Sequence, residues 1–211
     1  MFTSEEKMLE QAPLFVGKPA LNFTAKAVMP DNSIEDKFNL KEYANGDICV
    51  IFFWPLDFTF VCPSEILSFN NHLEEFTSRN AKIVGVSIDS HFCHLAWKNT
   101  STSEGGIGNI QFPMVADIKK EIARMYNVLN DDGISMRGTF IIDCHFNLRH
   151  ILINDLPLGR NVSETLRTID AIHHHREHGE VCPAGWHRGH EAITPNSTGI
   201  KKYLSRNASK V

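Results

Sequence analysis

Residues 48–66 read Ile-Cys-Val-Ile-Phe-Phe-Trp-Pro-Leu-Asp-Phe-Thr-Phe-Val-Cys-Pro-Ser-Glu-Ile. The run Ile48 to Trp54 is apolar, rich in β-branched and aromatic residues and long enough for a fully buried strand, and Pro55 stops it. After a turn, Cys62-Pro63 opens a segment from Ser64 to Phe76 in which Ile66, Leu67, Leu73 and Phe76 recur near helical spacing, predicting a helix over 63–79. Proline suits the first helical position, where its missing N–H would go unpaired anyway, so Pro63 sets Cys62 at or beside the N-cap. A sulfur there meets the free N–H groups of the helix and the positive end of its dipole.

An ordinary thiol, with pKa ~8.5, is only a few per cent thiolate at neutral pH, and the thiolate is the nucleophile. Lowering that pKa by ~2 requires roughly 2.7 kcal/mol of differential stabilisation. A helix terminus contributes about 0.3–1 kcal/mol and ~2 kcal/mol at most. The dipole alone falls short, so a further donor and a cation are needed. Thr59, three residues before Cys62, offers a hydroxyl on the same turn.

Two separated motifs carry a family likeness. Pro55-Leu-Asp-Phe-Thr59-Phe-Val-Cys62 resembles the Pro-x-x-x-Thr-x-x-Cys motif of the peroxiredoxins. Gly179-Glu-Val-Cys182-Pro-Ala-Gly-Trp186 is similar to the second-cysteine motif of their typical two-cysteine subgroup, which includes the peroxide-reducing component of bacterial alkyl hydroperoxide reductase. The likeness runs from about Val16 to the C-terminus.

This resemblance implies a peroxidase for hydrogen peroxide and organic hydroperoxides, needing no metal or organic cofactor. Cys62 would attack the terminal peroxide oxygen, release water or an alcohol and become a sulfenic acid. Arg137, in Gly133-Ile-Ser-Met-Arg-Gly-Thr-Phe140 directly before an apolar strand, resembles the arginine of the family at this position. Its guanidinium would hold the thiolate and polarise the peroxide. Pro55 would shield the pocket and Thr59 would hydrogen-bond the peroxide. Cys182 would attack the sulfenic acid and close a disulfide. Sequence separation leaves open whether that bond lies within one chain or between two; the resemblance implies a bond between the subunits of an antiparallel homodimer, with five dimers joining into a decameric ring. Bridging needs Cα atoms within ~7 Å, so Cys62 would swing out by local unwinding. A dithiol protein would regenerate the pair, either thioredoxin or a dedicated flavoprotein. Relatives also serve as chaperones or peroxide sensors. Gly105-Gly-Ile-Gly108 and Tyr203-Leu204 resemble the two elements that slow unwinding in peroxide-sensitive members, with Leu204 in place of the usual phenylalanine.

Composition fits a cytosolic chain. At 211 residues the chain can bury a sizeable core without staples. Its net charge of −4 shows no basic excess for nucleic acid or membrane partners. Met1-Phe-Thr-Ser-Glu-Glu-Lys7 lacks the basic and apolar regions of a secretory signal, and no stretch is apolar enough to span a membrane, so a cytoplasmic location is expected. Five scattered cysteines do not resemble a secreted disulfide framework.

Along the chain, residues 1–15 read as loosely held. Val16 to Val28 suggests an edge strand, with Ile34 to Leu40 pairing back on it. The strand over 48–54 and its helix precede a second apolar strand over 81–88, which implies a parallel pair. Asp89-Ser90 caps a helix through Asn99, and Thr100 to Asn109 forms a glycine-rich loop. A short strand over 112–116, an amphipathic helix over 118–128, a strand pair over 138–143 and 148–153, and a long helix over 162–178 complete the series. The order fits a thioredoxin-like α/β fold over 1–178. Residues 179–211 turn to glycine, proline and polar residues, and read as a C-terminal arm.

The remaining candidates read blandly. Cys49 lies in the core strand as a packed hydrophobe. Cys93, between His91 and His94, cannot assemble a metal site from one helical face. Cys144 sits in a hairpin turn. His173, His174, His175 and His178 point in different directions on a helix and read as a solvated face. A thioredoxin-type oxidoreductase would want Cys-x-x-Cys, whereas Cys62-Pro-Ser-Glu65 ends in glutamate.

Overall fold

The computed structural model describes residues 14–209, so nearly all of the segment expected to be loosely held, 1–15, lies outside the described residues. Strands β1 (Thr24–Val28), β2 (Ile34–Asn39), β3 (Ile48–Phe53), β4 (Ala81–Ser87), β5 (Met114–Ala116), β6 (Arg137–Ile142) and β7 (Leu148–Asn154) form one sheet in the order β2-β1-β5-β4-β3-β6-β7. β3 runs parallel to β4 and antiparallel to β6, and all six of its residues are buried.

Because side chains alternate along a strand, this fully apolar β3 feeds two cores. Val50 and Phe52, with Trp54 just beyond, pack with Ile66 and Phe69 of α2 (Cys62–Asn71) and with Leu166 and Ile169 of α6 (Val162–His178). Cys49, Ile51 and Phe53 pack on the other side with Ile122 and Ala123 of α5 (Glu121–Met125). Helices therefore lie on both faces of a mixed sheet, as the α/β expectation requires. Fully burying each such aromatic contributes about 1.5–3 kcal/mol. Gly85, opposite Phe52 in β4, leaves room for these rings: a Cβ there would stand 2.7 Å from the Trp54 indole.

Several expected elements differ. The strand predicted over Val16 to Val28 is confined to Thr24–Val28, and it is internal, paired to both β2 and β5. The helix predicted over 63–79 begins at Cys62 and breaks at His72, whose ring Nδ1 engages the Ser68 carbonyl at 2.7 Å before α3 (Leu73–Thr77) resumes. The helix predicted over 118–128 shrinks to α5 because Lys120 takes a left-handed φ of 59° and the Asp117 carboxylate caps the N–H groups of Ile122 and Ala123. The loop over 100–109 is held in place: Gly105 accepts the Trp97 indole N–H at 2.9 Å, and a Cβ on Gly106 would lie 2.0 Å from the Thr100 carbonyl oxygen. The C-terminal segment contains a helix, α7 (Ser197–Asn207), capped by the Asn196 side chain, which its polar composition concealed. α1 (Leu40–Ala44) and α4 (His91–Asn99) complete the α-helices of the described residues, and no helix among them is long and apolar enough to cross a membrane.

Candidate active site

The loop from Pro55 to Val61 carries the chain from the end of β3 to the start of α2, and it is pinned from behind. The buried Asp57 accepts from the Trp54 indole N–H at 2.9 Å and pairs with the buried His94 of α4 at 2.7 Å, while its own N–H donates to Asp89 at 2.9 Å. Phe58 adopts a φ of 54°, sparsely populated for an aromatic residue, with its ring against Trp97. Pro55 is buried at the head of this loop.

Cys62 opens α2 and is fully buried, and the preceding Val61 provides no side-chain cap. The first-turn N–H groups are thus left to the sulfur and to whatever approaches it. Thr59 Oγ1 lies 2.9 Å from Cys62 Sγ and 2.8 Å from the Leu56 carbonyl, so its single proton can be donated to either. Arg137, the first residue of β6, stands beside β3 and directs Nη1 to within 3.3 Å of the same sulfur. Its Nε donates to the Leu156 carbonyl at 2.6 Å, which fixes the plane of the guanidinium.

Two further residues complete the arrangement. Glu65, one helical turn beyond Cys62, receives Arg137 Nη1 on Oε2 at 2.6 Å and Arg160 Nε on Oε1 at 2.7 Å. Arg160 also donates to the Gly138 carbonyl at 2.7 Å and lies over the Phe52 ring at 5.2 Å, while its Nη2 is buried without a partner among the described residues. Burial pulls the Arg160 pKa below its ordinary value, and the Glu65 carboxylate opposes this. Two guanidinium ions thus face one carboxylate, and the buried charges balance when the sulfur is a thiolate. Sequence reasoning did not assign these two residues. The available signals were the i, i+3 spacing of Cys62 and Glu65 and the placement of Arg160 directly before the Asn161 cap of α6.

The structure brings Thr59 and Arg137 to Cys62 but places Cys182 elsewhere. All five cysteines are free, and Cys182 Sγ rests 3.7 Å from the Ala171 carbonyl on α6. Burial pushes its thiol pKa up, against the pull of Arg167. Burial also pushes the Cys49 thiol to about 12, and burial with the Asp57 and Asp89 carboxylates takes Cys93 to about 12. Asp57, Asp89 and Cys93 bring ligand atoms within 4.8 Å of one another, but both carboxylates are already engaged in the hydrogen bonds described or by Ser87. The histidines of α6 are not a uniformly solvated face. His173 and His174 are half-buried, His173 hydrogen-bonded to the Arg79 carbonyl of the α3–β4 turn and His174 to Glu180 of the C-terminal segment.

Residues 16–151 match the family model described as AhpC/TSA family, and residues 171–206 match the C-terminal domain of 1-Cys peroxiredoxin. The chain is 50% identical to an alkyl hydroperoxide reductase C of Buchnera aphidicola over 194 residues, covering 92% of this chain and 98% of that protein. It is 52% identical to peroxiredoxin-1 of Gallus gallus over 193 residues, covering 91% of this chain and 96% of the relative. A crystal structure of the reduced 2-Cys peroxiredoxin of Plasmodium vivax superposes with a TM-score of 0.89 at 46% identity, covering 92% of this chain and 100% of the other.

Proposed function

Because the chain belongs to the AhpC/TSA family and is a peroxiredoxin, a peroxidase enzyme, we propose that Cys62 is its peroxidatic nucleophile and Cys182 the thiol that resolves it. The observation that carries the assignment is the convergence of the Thr59 hydroxyl and the Arg137 guanidinium on one sulfur at a helix start. In the first step the Cys62 thiolate attacks the terminal peroxide oxygen. The O–O bond breaks, and the departing oxygen takes a proton to leave as water or an alcohol. Arg137 stabilises the charge that moves onto that oxygen, Thr59 orients the peroxide and Pro55 closes the pocket to bulk water. In the second step the Cys182 thiolate attacks the sulfenic sulfur, hydroxide leaves as water and a disulfide forms.

We place that disulfide between two subunits of a homodimer, with dimers gathered into a decamer. Exposed apolar groups at Phe60 and Phe92, 96% and 67% accessible, support such association. In this reading residues 179–211 act as an arm distinct from the domain over 1–178, and the enzyme works in the cytoplasm, where dithiol donors are kept reduced. Non-reducing electrophoresis after one equivalent of peroxide tests the pairing: wild type should run as a linked dimer, and Cys62→Ser and Cys182→Ser as monomers. A Cys182→Ser variant that still cross-links, or a wild type that stays monomeric, would remove Cys182 from the second step.

The donor is thioredoxin in this reading, and the alternative is a dedicated flavoprotein. The Trp186-containing motif supports thioredoxin. Sustained turnover with thioredoxin and its reductase, and none with the flavoprotein, is expected; the opposite pattern would reverse the assignment.

Arg137→Ala should slow the first step by roughly 10²–10³-fold while leaving the fold intact, because Glu65 keeps Arg160 as a partner. Arg137→Lys should recover little of the loss, since a point charge cannot reach the sulfur, Glu65 and the Leu156 carbonyl together. Stopped-flow peroxide consumption reads the difference, and a wild-type rate for either variant would exclude Arg137 from catalysis.

A further inference from the structure

Although the chain carries a net charge of −4, a cleft of about 290 Å³ gathers cations against the C-terminal half of α6. Its walls come from the α3–β4 turn at Arg79, from α6 between Asp170 and His178, and from Trp186 and Arg188 in the C-terminal segment. Three guanidinium groups and three imidazoles line it, against two carboxylates.

Those carboxylates leave one guanidinium charge in excess, and neither is hydrogen-bonded to Arg176 or Arg188. Asp170 is committed to Arg79, with Oδ1 at 2.8 Å from Nε and Oδ2 at 3.0 Å from Nη2. Glu177 lies 3.8 Å from Arg176, too far for a hydrogen bond. The hydrogen bonds of Arg176 go to the Cys144 sulfur at 3.2 Å and to His173 Nδ1 at 3.0 Å. His173 is fixed as that acceptor because its Nε2–H donates to the Arg79 carbonyl at 2.7 Å. Arg188 makes no ion pair among the described residues. Compensation of the α6 dipole accounts for basic residues in its last turn but not for Arg79 or Arg188, which lie off the helix.

We propose that this cleft binds a compact anion bearing two or three linked phosphates, held between Arg176 on α6 and Arg188 on the C-terminal segment. Guanidinium groups present paired N–H donors that match phosphate oxygens. The volume sits at the lower end for small-molecule sites, which fits a phosphate chain and not a nucleic acid strand. Trp186, buried with its ring 4.8 Å from that of His174, forms an aromatic wall. The ligand joins α6 to the segment that carries Cys182, so occupancy restrains Cys182 and slows disulfide formation without touching the first step. This consequence, unlike the binding itself, rests on Cys182 being the resolving thiol.

The test is calorimetric titration of the reduced full-length protein with tripolyphosphate in 0.1 M salt, with ATP and ADP in parallel. Saturable binding of one anion per chain is expected, weakened at least about tenfold in Arg176→Ala and in Arg188→Ala and unchanged in Cys62→Ser. Equal affinity for tripolyphosphate and ATP identifies the phosphate chain as the recognised group, and tighter ATP binding identifies a nucleotide. No saturable heat up to about 10 mM, or wild-type affinity in either arginine variant, overturns the site. Quench-flow measurement of disulfide formation then tests the consequence: saturating anion should slow it several-fold in wild type and not in Arg188→Ala, and an unchanged wild-type rate overturns the restraint while leaving the site standing.

Discussion

Cys62→Ser should abolish peroxide turnover, with initial rates falling by roughly 10⁴-fold or more at saturating dithiol. An alkoxide is not accessible to a serine near neutral pH, so the hydroxyl keeps the position and loses the nucleophile. The other cysteines are poorly placed to substitute. The Cys49 and Cys93 thiols are both pushed to about 12, and Cys182 is also raised by burial. None of them stands within hydrogen-bond reach of Arg137 or Thr59. The variant should still fold, because one buried atom changes and the Glu65 pairs persist. A residual rate within about tenfold of wild type would assign the peroxide chemistry to another residue.

Glu65→Ala should be the most destabilising single change at the site, costing about 3–5 kcal/mol. The carboxylate is the anion shared by Arg137 and Arg160, both buried, with N–O distances of 2.6 and 2.7 Å. Its removal leaves two guanidinium charges facing each other in a pocket roofed by Phe52 and Phe69. Peroxide reduction should fall as well, since Arg137 loses one of the contacts that aim it. Glu65→Gln keeps the shape but loses the charge and one of the two acceptor oxygens, and should fall between Ala and wild type. Urea unfolding followed by far-UV circular dichroism, at one fixed protein concentration because association contributes to stability, measures the loss. A cost under about 1 kcal/mol would mean that water or relaxation compensates both arginines.

Legibility differed with the range of the determining interactions. β3 and α6 could be read with close boundaries because their patterns are local: an unbroken apolar run ended by proline, and Leu166, Ile169 and Ile172 on one stripe closed by Gly179. The juxtaposition of Cys62, Thr59 and Arg137 was also anticipated, the first two from spacing and the third from the resemblance. Glu65 and Arg160 were hidden for a physical reason. Their pairing joins residues 95 positions apart, and a charged side chain looks solvent-bound until the fold closes over it. β1 looked like an edge because its exposed alternate positions resemble one, whereas β5 pairs on its far side. In α7, Ile200, Tyr203 and Leu204 had helical spacing behind an Asn196 cap, but a polar context outweighed the period.

If Cys62 reacts as the thiolate, as proposed, the charge balance around it has a temporal consequence. With the sulfur as thiolate, the charges of the two arginines are matched by those of Glu65 and the sulfur. Once the sulfur carries an uncharged sulfenic acid, the same pocket holds one positive charge in excess. The first turn of α2 is then gripped less tightly than before the reaction, although no side chain has moved. Cys62 and Glu65 share that turn, so unwinding it also withdraws the anion from between the arginines. The electrostatic hold therefore opposes release of the unreacted enzyme more than that of the oxidised one. In the proposed mechanism, turnover itself would set the clock for the departure of the sulfur from its seat.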